Sequence, residues 1–588
     1  MRNTGACTVI GSRGRSGESR SFIFDQFRVR LRVVLVLILV SAGGLVARAV
    51  DLQVLDDGFL ESQGEARSTR VAKLSAHRGS LLDRHGEPLA VSTPVDTVWV
   101  NPKEVAAAHA SDQIPRLAEA LNRDPQWLAR RITGNLDREF VYLVRHMRPQ
   151  DAAQVKALGI PGVYLLREYR RYYPAGEVTG HVLGFTSVDD VGQEGLELAY
   201  DQWLGGEAGA KRVIQDRFGR TVEDIESIRS PRPGQDLVTS IDLRIQYLAY
   251  RELKAAIQQH NAKAGSVVVL DVTTGEVLAM VNQPAYNPND RDQYTAPRYR
   301  NRAATDIFEP GSSIKPFVVA AAFAEGKFRP SSIIDTAPIR VGIKTISDEH
   351  PLGNVPLTTV VAKSSNVGMT KIALSMKPES MWGVMDAFGF GKVTGSGFPG
   401  ESAGLLNHFS HWRPIGQATM SYGYGLSVTP LQLAHAYAVL GGEGVSRPVT
   451  MRRVEGQIAG DRVLDEHVAR ELLKVMESVV SLDGTGNRAS LIGYRVAGKT
   501  GTAKKAIPGG YSDDAYFGTF GGVVPASKPR LAAIVVIDEP RGKQYYGGEV
   551  AAPVFSNVMA GALRLLGIPP DGLEAVPATT LVHALPSE

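Results

Sequence analysis

The 588-residue chain has a single cysteine, Cys7. No intrachain disulfide can form, so the folded part is held by its core alone, which this length permits. The 12 histidines are scattered, with no H-E-x-x-H run and no Cys/His cluster. A metal site is not expected, nor is any cofactor. No internal repeat is visible. Charge excess is missing from most of the chain as well. The net charge is +4, yet residues 1–32 hold seven arginines against Glu18 and Asp25, a balance of +5 that leaves −1 for the rest. A nearly neutral body argues against a nucleic-acid enzyme. A basic N-terminal tail points to a membrane-topology signal.

Apolar residues are 43% of the chain and charged residues 21%, an ordinary globular balance. Val33 to Ala47 is uncharged and almost wholly apolar. Leu31 to Val50 is long enough to span a bilayer if Arg32 and Arg48 snorkel to the interfaces. The expectation is a cytoplasmic tail over 1–32 and an uncleaved transmembrane anchor over 33–50, with the rest exported. A cleaved signal peptide is the alternative, since Ala47-Arg48-Ala49 has the small-x-small pattern of a cleavage site.

Residues 11–20, rich in Gly, Ser and Arg, are expected to be disordered. Residues 55–230 mix turn-rich and helical stretches, and Ser230-Pro231-Arg232-Pro233-Gly234 punctuates the chain as a domain joint. Beyond it Asp242 caps an expected helix carrying Ile245, Leu248, Leu253 and Ile257 on one side. Ser266–Leu270, Val277–Val281, Phe517–Val524 and Leu531–Ile537 read as strands around a mainly helical middle. The fold class expected for 236–568 is α+β, one antiparallel sheet covered by helices. Residues 569–588, rich in Pro and Ala, read as a loose tail.

Three short segments carry the chemistry: Ser312-Ser313-Ile314-Lys315, Ser364-Ser365-Asn366 and Lys499-Thr500-Gly501-Thr502. Pro316 places a helix start at about Ser312–Ser313, because proline is tolerated in the first helical turn. The apolar run from Phe317 to Ala324 marks that helix as buried. Ser312 then sits at the positive helix end, and Lys315, three residues on, can reach its oxygen. Desolvation favours a neutral lysine able to act as general base. Ser364 and Asn366 supply a hydroxyl and an amide for relaying a proton and holding a substrate amide. Tyr494 to Ala497 reads as a strand leading into Lys499, and Gly501 lets another backbone come close. Such a strand suits an extended peptide and its terminal carboxylate. Taken singly, each segment also fits a plain polar turn, a hairpin with a basic end, or a surface Ser–Lys pair.

In this order the segments resemble the penicillin-recognising serine acyl-transferases. Arg78-Gly79-Ser80-Leu81-Leu82-Asp83-Arg84-His85-Gly86 resembles the first signature of class B penicillin-binding proteins. Arg171 to Val178 and Gly192 to Glu197 resemble their pedestal domain, and Tyr422 to Pro430 is similar to their transpeptidase domain. The division-specific branch in Gram-negative bacteria is closest, through the Pro174-to-Glu197 pattern, the stretch Ser92 to Trp99 and the short anchor. The resemblance spans about 20–568. It implies a mixed α/β pedestal over 55–230 carrying the α+β body, with Ser312 as nucleophile, Lys315 as base, and Ser364 and Asn366 as the second motif. Lys499, Thr500, Gly501 and Thr502 would bind substrate, with the Ser312 and Thr502 N–H groups as oxyanion hole. Tyr422, Tyr424, Tyr545 and Tyr546 match aromatic wall positions. The implied activity is periplasmic D,D-transpeptidation of peptidoglycan stem peptides at the septum, inhibited by β-lactams. The implied partners are the inner membrane, a SEDS-type glycan polymerase and other division proteins, without nucleic acid.

Rival readings share the three motifs. A serine β-lactamase or D,D-carboxypeptidase would pass the acyl group to water, but the nearest match to a class A Glu-x-x-Leu-Asn, at Glu401 to Asn407, has the wrong spacing. A β-lactam sensor or division scaffold would need only incidental acylation. An elongation-specific transpeptidase would run the same chemistry in another machine.

Overall fold

The computed structural model describes residues 19–50, 69–74, 76–215, 221–456 and 458–572. Of the expected disorder over 11–20, residues 11–18 lie outside the described residues, as does most of the expected C-terminal tail, whereas Ser19 and Arg20 are helical. Helix α1 runs Ser19–Val50, beginning well before Val33. Its stretch Val29–Val50, 22 residues, is long and apolar enough to cross a membrane.

In the first folded region β1 (Pro88–Val100) pairs antiparallel with both β2 (Val141–Met147) and β3 (Val163–Tyr172). Short helices close a small core around Val98, Val100, Leu117, Leu128 and Leu143. A separate three-stranded antiparallel sheet joins Thr69–Leu74, Gly209–Gln215 and Thr221–Arg229. The three family-like stretches of this region meet at one carboxylate. Glu197 accepts from Arg78 Nε at 2.8 Å and from Arg171 Nε at 2.6 Å, and all three side chains are buried. Asp201 takes the other end of Arg78 at 2.7 Å. A buried carboxylate is tolerated only with such pairing.

The second body hangs on the first. Leu81–Leu82 pairs in parallel with Leu237–Val238. Helix α2 (Leu243–Gln259) has Asp242 as its N-cap, accepting from the Arg244 N–H, while Asp83 of the first body accepts from the Leu243 N–H at 3.3 Å. Strands β4 (Ala264–Asp271) and β5 (Val277–Gln283) follow, then α3 (Lys315–Ala324), α4 (Asn366–Ser375), α5 (Pro430–Gly441) and α6 (Glu466–Val480). Strands β6 (Ala497–Ile507), β7 (Gly510–Val524), β8 (Leu531–Asp538) and helix α7 (Ala552–Leu565) complete it. The sheet order is β5-β4-β8-β7-β6, antiparallel throughout.

Both sheet faces are covered, which explains why β4 and β8 read as unbroken apolar runs. Side chains alternate across a strand. Val268, Leu270, Ile534 and Val536 enter the core with α3, α5 and α6, while Val267, Val269, Val535 and Ile537 enter the core with α2 and α7. Helix α3 is apolar all round because it lies inside the first of these cores, with Lys315 to Phe323 buried. Each large side chain there contributes about 1.5–3 kcal/mol by leaving water.

Three local expectations differ. Ser312 lies in a 3-10 turn, Gly311–Ile314, and the α-helix begins only at Lys315. Tyr494 to Val496 precede strand β6, which starts at Ala497 and carries the Lys-Thr-Gly-Thr segment itself. The chain stays attached to the body through Gly572: Asp571 accepts from the Arg495 and Ser527 N–H groups, and the Gly572 N–H reaches Gly493 O at 2.9 Å.

Candidate active site

The turn carrying Ser312, the start of α4 and strand β6 converge on one place. Their approach depends on missing side chains. A Cβ on Gly501 would stand 2.8 Å from Pro310 O and 3.2 Å from Ser313 N. A Cβ on Gly423, which has φ +92°, would stand 2.0 Å from Gly311 O. Only glycine satisfies the space and, at Gly423, the backbone conformation too.

Lys315 and Lys499 are both fully buried. Lys315 Nζ lies within hydrogen-bond distance of Ser364 O (2.6 Å), Ser364 Oγ (3.0 Å) and Asn366 Oδ1 (2.9 Å). Lys499 Nζ lies 3.0 Å from the same Ser364 Oγ and bonds Thr500 O at 3.1 Å. Burial, then the facing Lys499, holds the Lys315 ammonium well below the usual lysine range, with Asp348 opposing. Burial pushes Lys499 down to about 7. Both lysines are thus biased towards the neutral form. With Lys315 neutral, one proton arrangement satisfies every contact. Neutral Lys315 donates to Ser364 O and Asn366 Oδ1 and accepts from the Ser364 hydroxyl, whose oxygen accepts from Lys499.

The Ser312 hydroxyl is half-buried and makes no hydrogen bond among the described residues, so the expected direct Lys315–Ser312 contact is not formed here. A buried ammonium needs several partners, and the second motif supplies them. Ser364 delivers two oxygens to Lys315 from a left-handed backbone, φ +60°, a conformation costly for a non-glycine residue.

Asp348, which sequence reasoning missed, fixes that geometry. Its Oδ1 accepts from the Asn366 and Val367 N–H groups at 2.6 and 3.1 Å, and its Oδ2 accepts a short hydrogen bond from Ser365. Ser365 in turn caps α4 through the Gly368 N–H. On β6, Thr500 Oγ1 pairs with Thr485 Oγ1 at 2.8 Å, and Thr502 Oγ1 accepts from the Gly547 N–H at 3.0 Å.

The four aromatic candidates fall into two groups. Tyr422 and Tyr424 meet edge-on at 6.0 Å, and Tyr511 extends that group at 5.1 Å from Tyr424. Tyr545 stacks on Tyr546 at 4.5 Å and on Tyr516 at 4.4 Å. Tyr511 and Tyr516 were missed, as was Glu309, whose Oε1 accepts from the Gly425 N–H and the Tyr511 hydroxyl. Among the described residues no group of His, Cys, Asp and Glu could hold a metal.

Two buried lysines bridged by one hydroxyl, with Ser312 in the turn before the buried helix α3, fit a serine acyl-transferase on an α+β body. Comparison with known proteins identifies the branch. Residues 265–560 match the penicillin binding protein transpeptidase domain, and residues 73–239 the penicillin-binding protein dimerisation domain. The peptidoglycan D,D-transpeptidase FtsI of Escherichia coli (strain K12) is 45% identical over 562 residues, 95% of each chain. The probable peptidoglycan D,D-transpeptidase PenA of Neisseria meningitidis serogroup A is 42% identical over 543 residues, 92% of this chain and 93% of that one. The solved transpeptidase domain of Burkholderia pseudomallei penicillin-binding protein 3 is 42% identical with a TM-score of 0.53, covering 57% of this chain and 97% of that chain. The chain belongs to the class B penicillin-binding proteins of FtsI type, the peptidoglycan D,D-transpeptidases.

Proposed function

We propose that Ser312 is the nucleophile of this transpeptidase and that it acts with the lysine pair bridged by Ser364. The carrying observation is that bridge: one hydroxyl 3.0 Å from both buried lysine nitrogens. Ser312 attacks the D-Ala–D-Ala carbonyl of a stem peptide. Its proton passes to Lys315, directly or through Ser364, and on to the departing D-Ala amine. The ester then waits for the amine of a neighbouring stem, whose attack frees Ser312 and forms the cross-link. Lys499, Thr500 and Thr502 hold the terminal carboxylate on β6. The N–H groups of Ser312 and Thr502 take the oxyanion. The tyrosine groups wall the cleft, and a β-lactam enters as a donor mimic that stays on Ser312.

The basic tail before α1 supports a cytoplasmic N-terminus, an uncleaved anchor in the inner membrane and a periplasmic body. Likeness to FtsI supports work at the division septum, beside a SEDS-type glycan polymerase and other division proteins.

A fluorescent penicillin that does not cross the inner membrane tests this reading in intact cells. Label is expected at septa, on Ser312 by peptide mapping, and absent from the folded Ser312→Ala variant. Label that persists in that variant overturns the nucleophile. Side-wall label favours the elongation role. Label only after the inner membrane is opened overturns the topology. Co-purification in detergent with the polymerase checks the partnership.

A further inference from the structure

The buried lysines and the hydroxyls of β6 suit the carboxylate of a donor peptide. The acceptor brings the opposite charge, because an amine in water at neutral pH is an ammonium ion. Most carboxylates around the catalytic segments are already engaged. Asp348 accepts from the Asn366 and Val367 N–H groups and from Ser365. Glu309 has Oε1 on Gly425 and Tyr511, and its Oε2 is closed off from solvent. Asp513 pairs with Lys504, and Asp538 with Lys505. Asp483 lies beside Lys363, whose Nζ bonds its carbonyl at 2.7 Å. Glu349 differs. It is exposed and makes no ion pair among the described residues, and its hydrogen-bond contact there is the Tyr546 hydroxyl, at 3.4 and 3.5 Å from its two oxygens.

That contact joins the two sides of the site. Glu349 follows Asp348, which binds the start of α4. Tyr546 precedes Gly547, whose N–H donates to Thr502 Oγ1 on β6 at 3.0 Å. One carboxylate-to-hydroxyl link therefore runs from the segment that fixes Asn366 to the segment held by Thr502. At 3.4–3.5 Å it is at the limit of a hydrogen bond, whereas an ammonium–carboxylate bond is shorter and stronger. Tyr546 does not depend on Glu349 for its place. Its ring stacks on Tyr545 at 4.5 Å, and its oxygen accepts from the Tyr545 hydroxyl at 3.3 Å.

We propose that Glu349 receives the ammonium group of the acceptor stem peptide, displacing the Tyr546 hydroxyl, and so favours amine over water as the second substrate. This rests on Ser312 as the acylated nucleophile. Glu349 takes no proton in the reaction; it holds the acceptor close to the ester. The ammonium releases one proton to solvent as it leaves the carboxylate. The freed lone pair forms the C–N bond at the ester carbon, and the C–O bond to Ser312 breaks. The second proton of the amine returns to the Ser312 oxygen through Lys315.

The full-length chain in detergent is acylated with a D-alanyl thioester, and a stem tripeptide carrying a free side-chain amine is added as acceptor. Thiol release reports acylation, and the ratio of amide to free acid reports how the acyl-enzyme divides between amine and water. In Glu349→Gln the amide share at sub-saturating acceptor should fall about two- to fivefold, the range of an exposed ion pair, through a higher half-saturating acceptor concentration. Thiol release should change far less than that share. Glu349→Lys places a like charge there and should depress transfer further. Raised salt should narrow the difference between parent and variants. An amide share that is the same in parent and Glu349→Gln overturns the proposal. So does a loss confined to thiol release, which would put Glu349 on the donor side. A parent chain that takes no penicillin at Ser312 would bring down the nucleophile reading and this one together, a result unlike either of those.

Discussion

Lys315 and Lys499 place two nitrogens 3.0 Å from one oxygen, away from water, and this makes their proton content the controlling variable of the site. Both are lowered from the usual lysine value, Lys499 to about 7. A base must be neutral and a carboxylate receptor charged. Acylation should therefore climb as pH rises through the lowered range of Lys315 and decline as Lys499 loses its proton above about 7 in the empty enzyme. For stability the sign follows from linkage. Between the folded and unfolded lysine values the unfolded chain binds more protons, so the penalty for burying the pair is full below that window and lifts as pH rises through it. Lys315→Arg keeps the charge but cannot deprotonate in this range. Stopped-flow acylation by a chromogenic β-lactam should fall by about 10²–10⁴-fold, the usual share of a positioned base. A rate within a few-fold of the parent would move the base elsewhere, with Ser364 next in line. The chemistry-bearing residues were legible because their spacing is local: Ser312 and Lys315 share a turn, and Ser364 and Asn366 share a helix start. Asp348, Tyr511 and Tyr516 were not, since each reaches the site only through the fold, and Glu309, though close to Ser312 in sequence, has partners at Gly425 and Tyr511 that only the fold supplies.

At the scale of elements the site depends on how closely β6 lies on the turn before α3. Gly501→Ala brings a methyl to 2.8 Å from Pro310 O, where backbone has to yield. The expected cost is about 1–3 kcal/mol of stability, typical of overpacking. Penicillin labelling should slow at least about tenfold, because a small misplacement of reacting groups is amplified in rate. Parallel urea melts and labelling rates check both, and unchanged labelling would show that the strand spacing is immaterial. The close approach was foreseeable from a glycine inside a charged strand. The all-antiparallel sheet was foreseeable from valine-rich runs at both ends of the body. The 3-10 turn at Gly311–Ile314, which lies against Gly423, was not. Nor was the left-handed Ser364, a conformation that serine does not choose unaided.

For the whole molecule, the pedestal is locked by Glu197, buried between two arginines. Glu197→Ala leaves two buried cations without their shared partner, so the loss should be about 3–5 kcal/mol. Differential unfolding of the full-length chain in denaturant would register it. A change under about 1 kcal/mol would mean that water reaches the arginines. The same architecture has another consequence at its joint. Helix α2 begins with two acceptors, Asp242 from its own body and Asp83 from the pedestal, on adjacent N–H groups. The Leu243 N–H depends on the pedestal for its acceptor, while the Arg244 N–H is capped from within the catalytic body. A pedestal shift that lengthens the Asp83 contact would leave Asp242 capping the helix that supports the sheet.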